Sequence, residues 1–176
     1  MRVAIVVMGV SGCGKSTLGQ ALAARLGTPF IEGDTLHPPA NIAKMAAGLP
    51  LDDMDRQPFL EAVAQALQAA GPGAVAACSA LKRQYRDLLR SHAGRVVFVL
   101  PTLDRALLAE RMDAREGHFM PATLLDTQLT TLEPPTPEEQ ALCIDGSLPT
   151  TAQVEAVLAA LKNTQDGHDD PERRTL

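Results

Sequence analysis

The chain has 176 residues, a formal net charge of −5, 45% hydrophobic residues and 21% charged residues. That length suits one domain with its own core, and the acidic balance argues against a general nucleic-acid-binding surface. No apolar run is long enough to span a bilayer, and the apolar N-terminus lacks signal-peptide organisation, so a cytoplasmic protein without a membrane partner is expected. Cys13, Cys78 and Cys143 show no metal-ligand spacing, and an odd number in such a chain points to free thiols.

Val3 to Met8 form a continuous apolar, β-rich run, as in a strand buried on both faces. Gly9, Val10, Ser11, Gly12, Cys13, Gly14, Lys15 and Ser16 follow with the spacing GxxxxGK[ST], and Leu18, Ala21, Leu22 and Leu26 recur at helical spacing behind them. Strand, glycine-rich loop and helix in this order make a phosphate-binding P-loop. Glycines bring successive N–H groups around an anion, and the helix adds the positive end of its dipole. Lys15 supplies a mobile charge for the β and γ phosphates of a nucleotide, and Ser16 a hydroxyl for Mg²⁺, with Thr17 completing the set. Cys13 sits where a helix N-terminus lowers a thiol pKa, although an ordinary loop position is the simpler reading.

Gly27, Thr28 and Pro29 end this unit, and Phe30 to Asp34 read as a short strand next to the P-loop strand, ending in an acidic turn. Residues 40 to 47 form a short helix stopped by Gly48 and Pro50, and Asp55 is expected to cap the next, with Phe59, Leu60, Val63, Ala64 and Leu67 as its apolar face. Ala74 to Cys78 form a small-residue strand whose loop, Ser79 to Arg83, reaches the same edge as Asp34, and Lys82 to Ser91 form a helix. Arg95 to Leu100 are another buried strand. Pro101 and Thr102 open a helix to about Arg115, residues 116 to 121 interrupt it as a lid, and Ala122 to Thr131 resume a helix. Ala141 to Ile144 form the last strand. Thr150 and Gln153 have capping-box spacing before the stripe Val154, Val157, Leu158 and Leu161. Alternating strands and helices predict a parallel, doubly wound α/β sheet of about five strands.

Phosphoryl transfer needs a phosphate cradle, a metal, a group that takes or orients the acceptor proton, and positive charge over the transferring group. Asp34 is the candidate base, with a solvated turn carboxylate as the competing reading. Glu32, two residues earlier, is a candidate for holding Mg²⁺ through water. Arg111 and Arg115, four apart on one helix before the lid, supply the positive charge, unless they only pair with Glu110, Asp113 and Glu116 on a solvated face.

Gly33-Asp34-Thr35-Leu36-His37-Pro38, Asn41 to Met45 and Gly48 to Arg56 resemble the gluconate kinases, as do Cys78 to Asp87 and Gly117-His118-Phe119-Met120-Pro121 through Leu132-Glu133. With the P-loop these stretches cover most of residues 3 to 134, in that family's order. The resemblance implies an adenylate-kinase-like P-loop fold that dimerises, and ATP-dependent phosphorylation of D-gluconate on its 6-hydroxyl. Length and composition point to one kinase domain over 1–162, the interrupted helix to a lid over about 112–124, and the polar stretch without apolar periodicity to a disordered tail over 163–176. His37, Arg56, Lys82, Arg83 and His118 are the basic residues able to converge on a carboxylate-bearing polyol; the plainer alternatives are a surface pair with Asp52, Asp53 or Asp55 for Arg56, a structural or solvated histidine for His37 and His118, and a helix start facing water for Lys82 or Arg83. Phe59 stands where the family commonly has tryptophan, and Thr127 and Leu129 replace a serine and a phenylalanine. Another acceptor on the same scaffold, a shikimate-like acid or a nucleoside monophosphate, remains an alternative, as does a nucleotide-binding module without catalysis.

Overall fold

The computed structural model describes residues 3–114 and 122–166. Five parallel strands, β1 (Ala4–Val7), β2 (Phe30–Glu32), β3 (Val75–Ala77), β4 (Val96–Thr102) and β5 (Leu142–Asp145), form a sheet in the order β2-β3-β1-β4-β5. The described helices are α1 (Lys15–Leu26), α2 (Pro39–Ala46), α3 (Asp53–Ala70), α4 (Arg83–Ala93), α5 (Arg105–Asp113), α6 (Ala122–Thr131) and α7 (Thr150–Asp166).

Strand alternation divides the core. Ile5 and Val7 of β1 face Leu18 and Leu22 of α1 and Val154 and Val157 of α7. Val6 and Met8 point the other way, against Phe59, Leu60 and Val63 of α3 and Leu89 of α4. Each such side chain, removed from water, stabilises the sheet by roughly 1.5–3 kcal/mol. Parallel strands with helices on both faces leave all the carboxyl ends at one edge, where the loops gather.

The structure departs from the expectations at several points. The strand carrying Asp34 is not next to the P-loop strand, because β3 lies between them. Val75, Ala76 and Ala77 are apolar throughout and wholly buried, so they take the interior place, whereas β2 is only half-buried at the sheet's end. Asp52, not Asp55, caps α3: its Oδ1 accepts from Asp55 N–H at 2.8 Å, and Asp55 Oδ2 accepts from Asp52 N–H at 3.0 Å. Asp55 is the third residue of that capping box. Pro101 and Thr102 belong to β4, paired with Ile144 and Asp145, and α5 starts only at Arg105, capped by Asp104. Thr150 lies inside α7 instead of capping it, and Gln153 spends its side-chain amide on Gly146 O and Leu148 O. That helix also runs to Asp166, past the expected boundary at 162. Residues 167–176, and 115–121 of the expected lid with Arg115 and His118, lie outside the described residues.

Arg86 is fully buried although it sits in the polar helix α4. Its Nε and Nη2 donate to the two oxygens of Glu139 at 2.5 and 2.8 Å, and its Nη1 to the carbonyls of Ala80, Leu81 and Glu133 at 3.3, 3.1 and 3.1 Å. The Arg86 hydrogen bonds hold the Glu139 carboxyl down to about 2, against an ordinary value of 4.5. A depressed acid pKa contributes stability that is complete above the unfolded-state value and is lost as pH falls through the folded-state one. Stability should therefore decline between about pH 5 and pH 2 through this pair. Glu139→Ala, which strands a buried guanidinium, should cost about 3–5 kcal/mol in urea unfolding at neutral pH and flatten that part of the pH dependence. A loss below ~1 kcal/mol would refute the assignment.

Candidate active site

The loop between β1 and α1 is set by its glycines. Gly14, at φ 91°, precedes Lys15 and caps α1 without a side-chain hydrogen bond, so the first N–H groups of the helix stay available to an anion. Lys15 Nζ donates to Val10 O at 2.9 Å, holding the ammonium over its own loop. Val10 and Cys13 turn inward and pack with Leu81, Leu108 and Leu125. Cys13 thus offers the loop its backbone, while its thiol is core. Gly9 N–H donates to Ser79 O at 3.1 Å, joining this loop to the one after β3.

A cleft of about 510 Å³ opens over the helix end, lined by Gly12, Gly14, Lys15, Ser16 and Thr17 and also by Asp34 and Arg111. The 3₁₀ turn Gly33–Leu36 delivers Asp34 there. Gly33 must be glycine, since a Cβ would lie 2.1 Å from Ala77 O. The structure thus brings together Lys15, Ser16, Asp34 and Arg111. Glu32 is not among the residues lining the cleft.

The far wall is Ser147, Leu148 and Pro149, which carry no motif in the sequence, with Thr150 and Gln153, whose spacing there suggests only a helix cap. Asp145 Oδ1 accepts from Ser147 N–H and Oγ at 2.9 and 2.6 Å, and Arg111 Nη2 and Gln153 Nε2 both donate to Gly146 O, at 3.1 and 3.2 Å. The available signal was Asp145-Gly146-Ser147, a turn at the carboxyl end of the last strand, on the edge where such sheets bind ligands.

On the opposite side of Asp34, His37 stacks on Phe59 with ring centroids 3.7 Å apart and planes at 8°. Asn41 Nδ2 lies 3.4 Å from His37 Nδ1 and donates to Asp55 O at 2.7 Å. Arg56 is near enough to His37 to influence its charge, and its guanidinium lies 5.9 Å from the Tyr85 ring centre. Beyond it, Leu51, Asp53, Met54, Lys82, Tyr85 and Thr131 line a shallow depression of about 500 Å³. Asp53, which the sequence reading did not single out, is its hub. It accepts from Lys82 Nζ at 2.6 Å, Gln84 Nε2 at 2.9 Å and the Tyr85 hydroxyl. The hydrogen bonds from Lys82 and Tyr85 bring its carboxyl down to about 2. Lys82 therefore faces the depression, and Arg83 does not: its guanidinium is directed to Asp87 at 3.7 Å and Thr136 at 3.4 Å. The backbone accounts for the split: Lys82 is the extended N-cap residue of α4, whereas Arg83 is its first helical residue, so their side chains leave in different directions.

Burial lowers the pKa of His37 below 6.5, with Asp34 opposing the shift and Arg56 adding to it. His37 is thus neutral near pH 7, and protonating it costs stability, which should fall as pH drops below about 6.5 through the folded-state pKa. An NMR titration should find His37 below that ordinary value, and a value at or above it would contradict this environment. Burial pushes the Cys78 thiol up to about 12, leaving it protonated and unreactive.

A family model described as an AAA domain matches residues 5–135. A gluconokinase of Gluconobacter oxydans (strain 621H) is 51% identical over 145 residues, 81% of this chain and 82% of the relative. The crystal structure of a gluconokinase from Sinorhizobium meliloti 1021 superposes with a TM-score of 0.86 at 50% identity, covering 94% of this chain and 95% of that one. A shikimate kinase from Acinetobacter baumannii in complex with shikimate shares the fold at a TM-score of 0.63 and 18% identity, covering 93% and 95%. With a sequence match of this depth over most of both chains, and the phosphate loop and its facing carboxylate in one cleft, the chain belongs to the gluconokinase family.

Proposed function

We propose that the protein transfers the γ-phosphoryl group of ATP to the 6-hydroxyl of D-gluconate, giving 6-phospho-D-gluconate and ADP. The observation that carries this reading is the placement of Asp34 in the cleft of Lys15, Ser16 and Arg111 and, through His37 and Arg56, beside the Lys82–Asp53–Tyr85 depression. Donor and acceptor sides meet at one carboxylate. The triphosphate lies across the N–H groups from Gly12 to Thr17, with Gly9, Val10, Ser11 and Cys13 shaping the loop and Lys15 leaving Val10 O for the phosphates. The nucleoside lies along Ser147 to Thr150, where the cleft continues.

The Ser16 hydroxyl is a hard oxygen donor that would hold Mg²⁺. No cluster of three His, Cys, Asp or Glu able to cage a metal occurs among the described residues. Mg²⁺ held by Ser16 would neutralise charge on the β and γ phosphates. Glu32 keeps only an indirect role in this scheme.

In the transfer, Asp34 takes the proton of the 6-hydroxyl as that oxygen attacks the γ-phosphorus, and the bond to the ADP oxygen breaks. Arg111 meets the charge on the equatorial oxygens, a contribution that can reach about 10³–10⁵ in rate for a well-placed arginine. Arg115, by its spacing from Arg111, would add to that charge and His118 would join the acceptor side; both lie outside the described residues. Arg56 and Lys82 attract the gluconate carboxylate and His37, neutral, bonds a hydroxyl; Arg83 is left to the α4 surface. A homodimer, which rests on the resemblance alone, and a cytoplasmic location, which rests on the sequence pattern of the N-terminus, complete the proposal. Among the described residues no helix is long and apolar enough to cross a membrane.

ADP release measured against a panel of sugar acids, shikimate and nucleoside monophosphates should show turnover with gluconate; turnover with a nucleotide and none with gluconate would overturn the reading. Asp34→Asn should lower kcat by about 10²–10⁴ while the fold and ATP binding persist, since the amide cannot take the proton. An unchanged kcat would remove Asp34 from the mechanism.

A further inference from the structure

Helix α6 and the two residues after it connect the phosphate loop to the acceptor wall. Ser11 N–H donates to Gln128 Oε1 at 2.7 Å. The Gln128 carbonyl accepts from Leu132 N–H at 2.9 Å, and the next residue, Glu133, donates its N–H to Leu81 O at 2.9 Å. Glu133 makes two further ties: its Oε2 accepts from Arg83 N–H at 2.7 Å, and its carbonyl from Arg86 Nη1 at 3.1 Å. Leu129 and Leu132 pack against the Val10, Cys13 and Leu108 cluster, and Leu132 also touches the core beneath α3 and α4.

The phosphate loop and the acceptor loop meet directly through Gly9 N–H to Ser79 O and through Leu81, which packs with Val10 and Cys13. Packing and a hydrogen bond at one end of the loop leave its Ser11 side to be held separately. A second path, from Ser11 through Gln128 and Glu133 to Leu81, adds a restraint on the angle between the loops. Ala80, between the two anchored carbonyls, has φ 40°, a conformation that side-chain-bearing residues rarely hold without outside restraint. The residue types suit their places. A neutral amide oxygen satisfies the Ser11 N–H without setting a negative charge beside a polyphosphate. A carboxylate at Glu133 caps the start of α4, where an acid is favoured and where Lys82 makes no side-chain cap.

We propose that α6 is a strut setting the distance and angle between donor loop and acceptor wall, with Gln128 and Glu133 as positioning residues. The proposal rests on the transferase reading above. In-line transfer depends on that geometry, and a misplacement near 1 Å can cost on the order of 10²-fold in rate.

Gln128→Met and Glu133→Ala, with Glu133→Gln as the conservative companion, test it in two ways. In steady state, each of the first two should lower kcat with gluconate by on the order of tenfold to a hundredfold with little change in KM for ATP. Water should then intercept the phosphoryl group, so that ADP plus inorganic phosphate form in excess of phosphogluconate, whereas the unsubstituted protein forms ADP and phosphogluconate in equal amounts. Glu133→Gln, which still accepts from Arg83 N–H, should recover most of the rate. In amide hydrogen exchange of the nucleotide-free protein, Glu133→Ala should speed exchange at residues 9–12, and Gln128→Met at residues 79–83, neither of which the altered side chain touches. Exchange that changes only at each substitution's own contacts overturns the strut. So does an equal ADP and phosphogluconate yield at unchanged kcat. If the unsubstituted protein does not phosphorylate gluconate, the transferase reading fails, and the exchange data alone decide the strut.

Discussion

The buried guanidinium of Arg86 is the constraint on which the acceptor half of the molecule depends. It holds three carbonyls from two separate loops and a carboxylate from a third segment, with its Nε, Nη1 and Nη2 all engaged. Desolvating a guanidinium is expensive, and only a nearly complete set of partners makes it tolerable. That demand works as a specification: loops that stray from Arg86 leave a buried charge unpaired. Arg90 extends the cluster, donating to Glu139 O at 2.8 Å and lying 4.7 Å above the centre of the Phe98 ring in the sheet. The turn after β3 and the segment after α6 are thereby tied to the core.

The two halves of the site are built from different materials. The donor side uses backbone N–H groups and one lysine, so its selectivity comes from the shape of the loop and the glycines that permit it. The acceptor side uses side chains from several elements: His37 on Phe59, Arg56 beside Tyr85, and Lys82 paired with Asp53. Backbone recognises a phosphate, common to many nucleotides. Side chains discriminate among acceptors, because a hydroxyl or carboxylate left unmatched leaves a partly buried polar group unpaired. Phe59 forms the floor on which His37 stacks.

Asp53 shows how a residue that looks like surface becomes part of a site. In sequence it is one of four acids between 52 and 61, and such runs are normally solvated. Folding brings α4 against the start of α3, so that Lys82, Gln84 and Tyr85 all reach a single carboxylate. The segment Ser147 to Gln153 became legible in the same way, once β5 was seen to end at the edge shared with β1.

The order of strand, loop and helix, the GxxxxGK[ST] spacing and the continuous apolar runs were readable from the chain alone, because each depends on neighbours within a few residues. Periodicity and loop chemistry are local, and so the P-loop, the parallel α/β class and the placing of Asp34 at a strand's carboxyl end needed no tertiary information. The position of β2 beyond β3, the turning of Arg83 away from Lys82 and the burial of Arg86 did need it. Each of these is settled by which distant segment arrives as a partner: β3 as the better-buried strand, Thr136 for Arg83, Glu139 for Arg86. A charged residue in a polar helix carries the same local signature whether it meets water or a carboxylate from 53 residues away, and only the packed chain distinguishes the two.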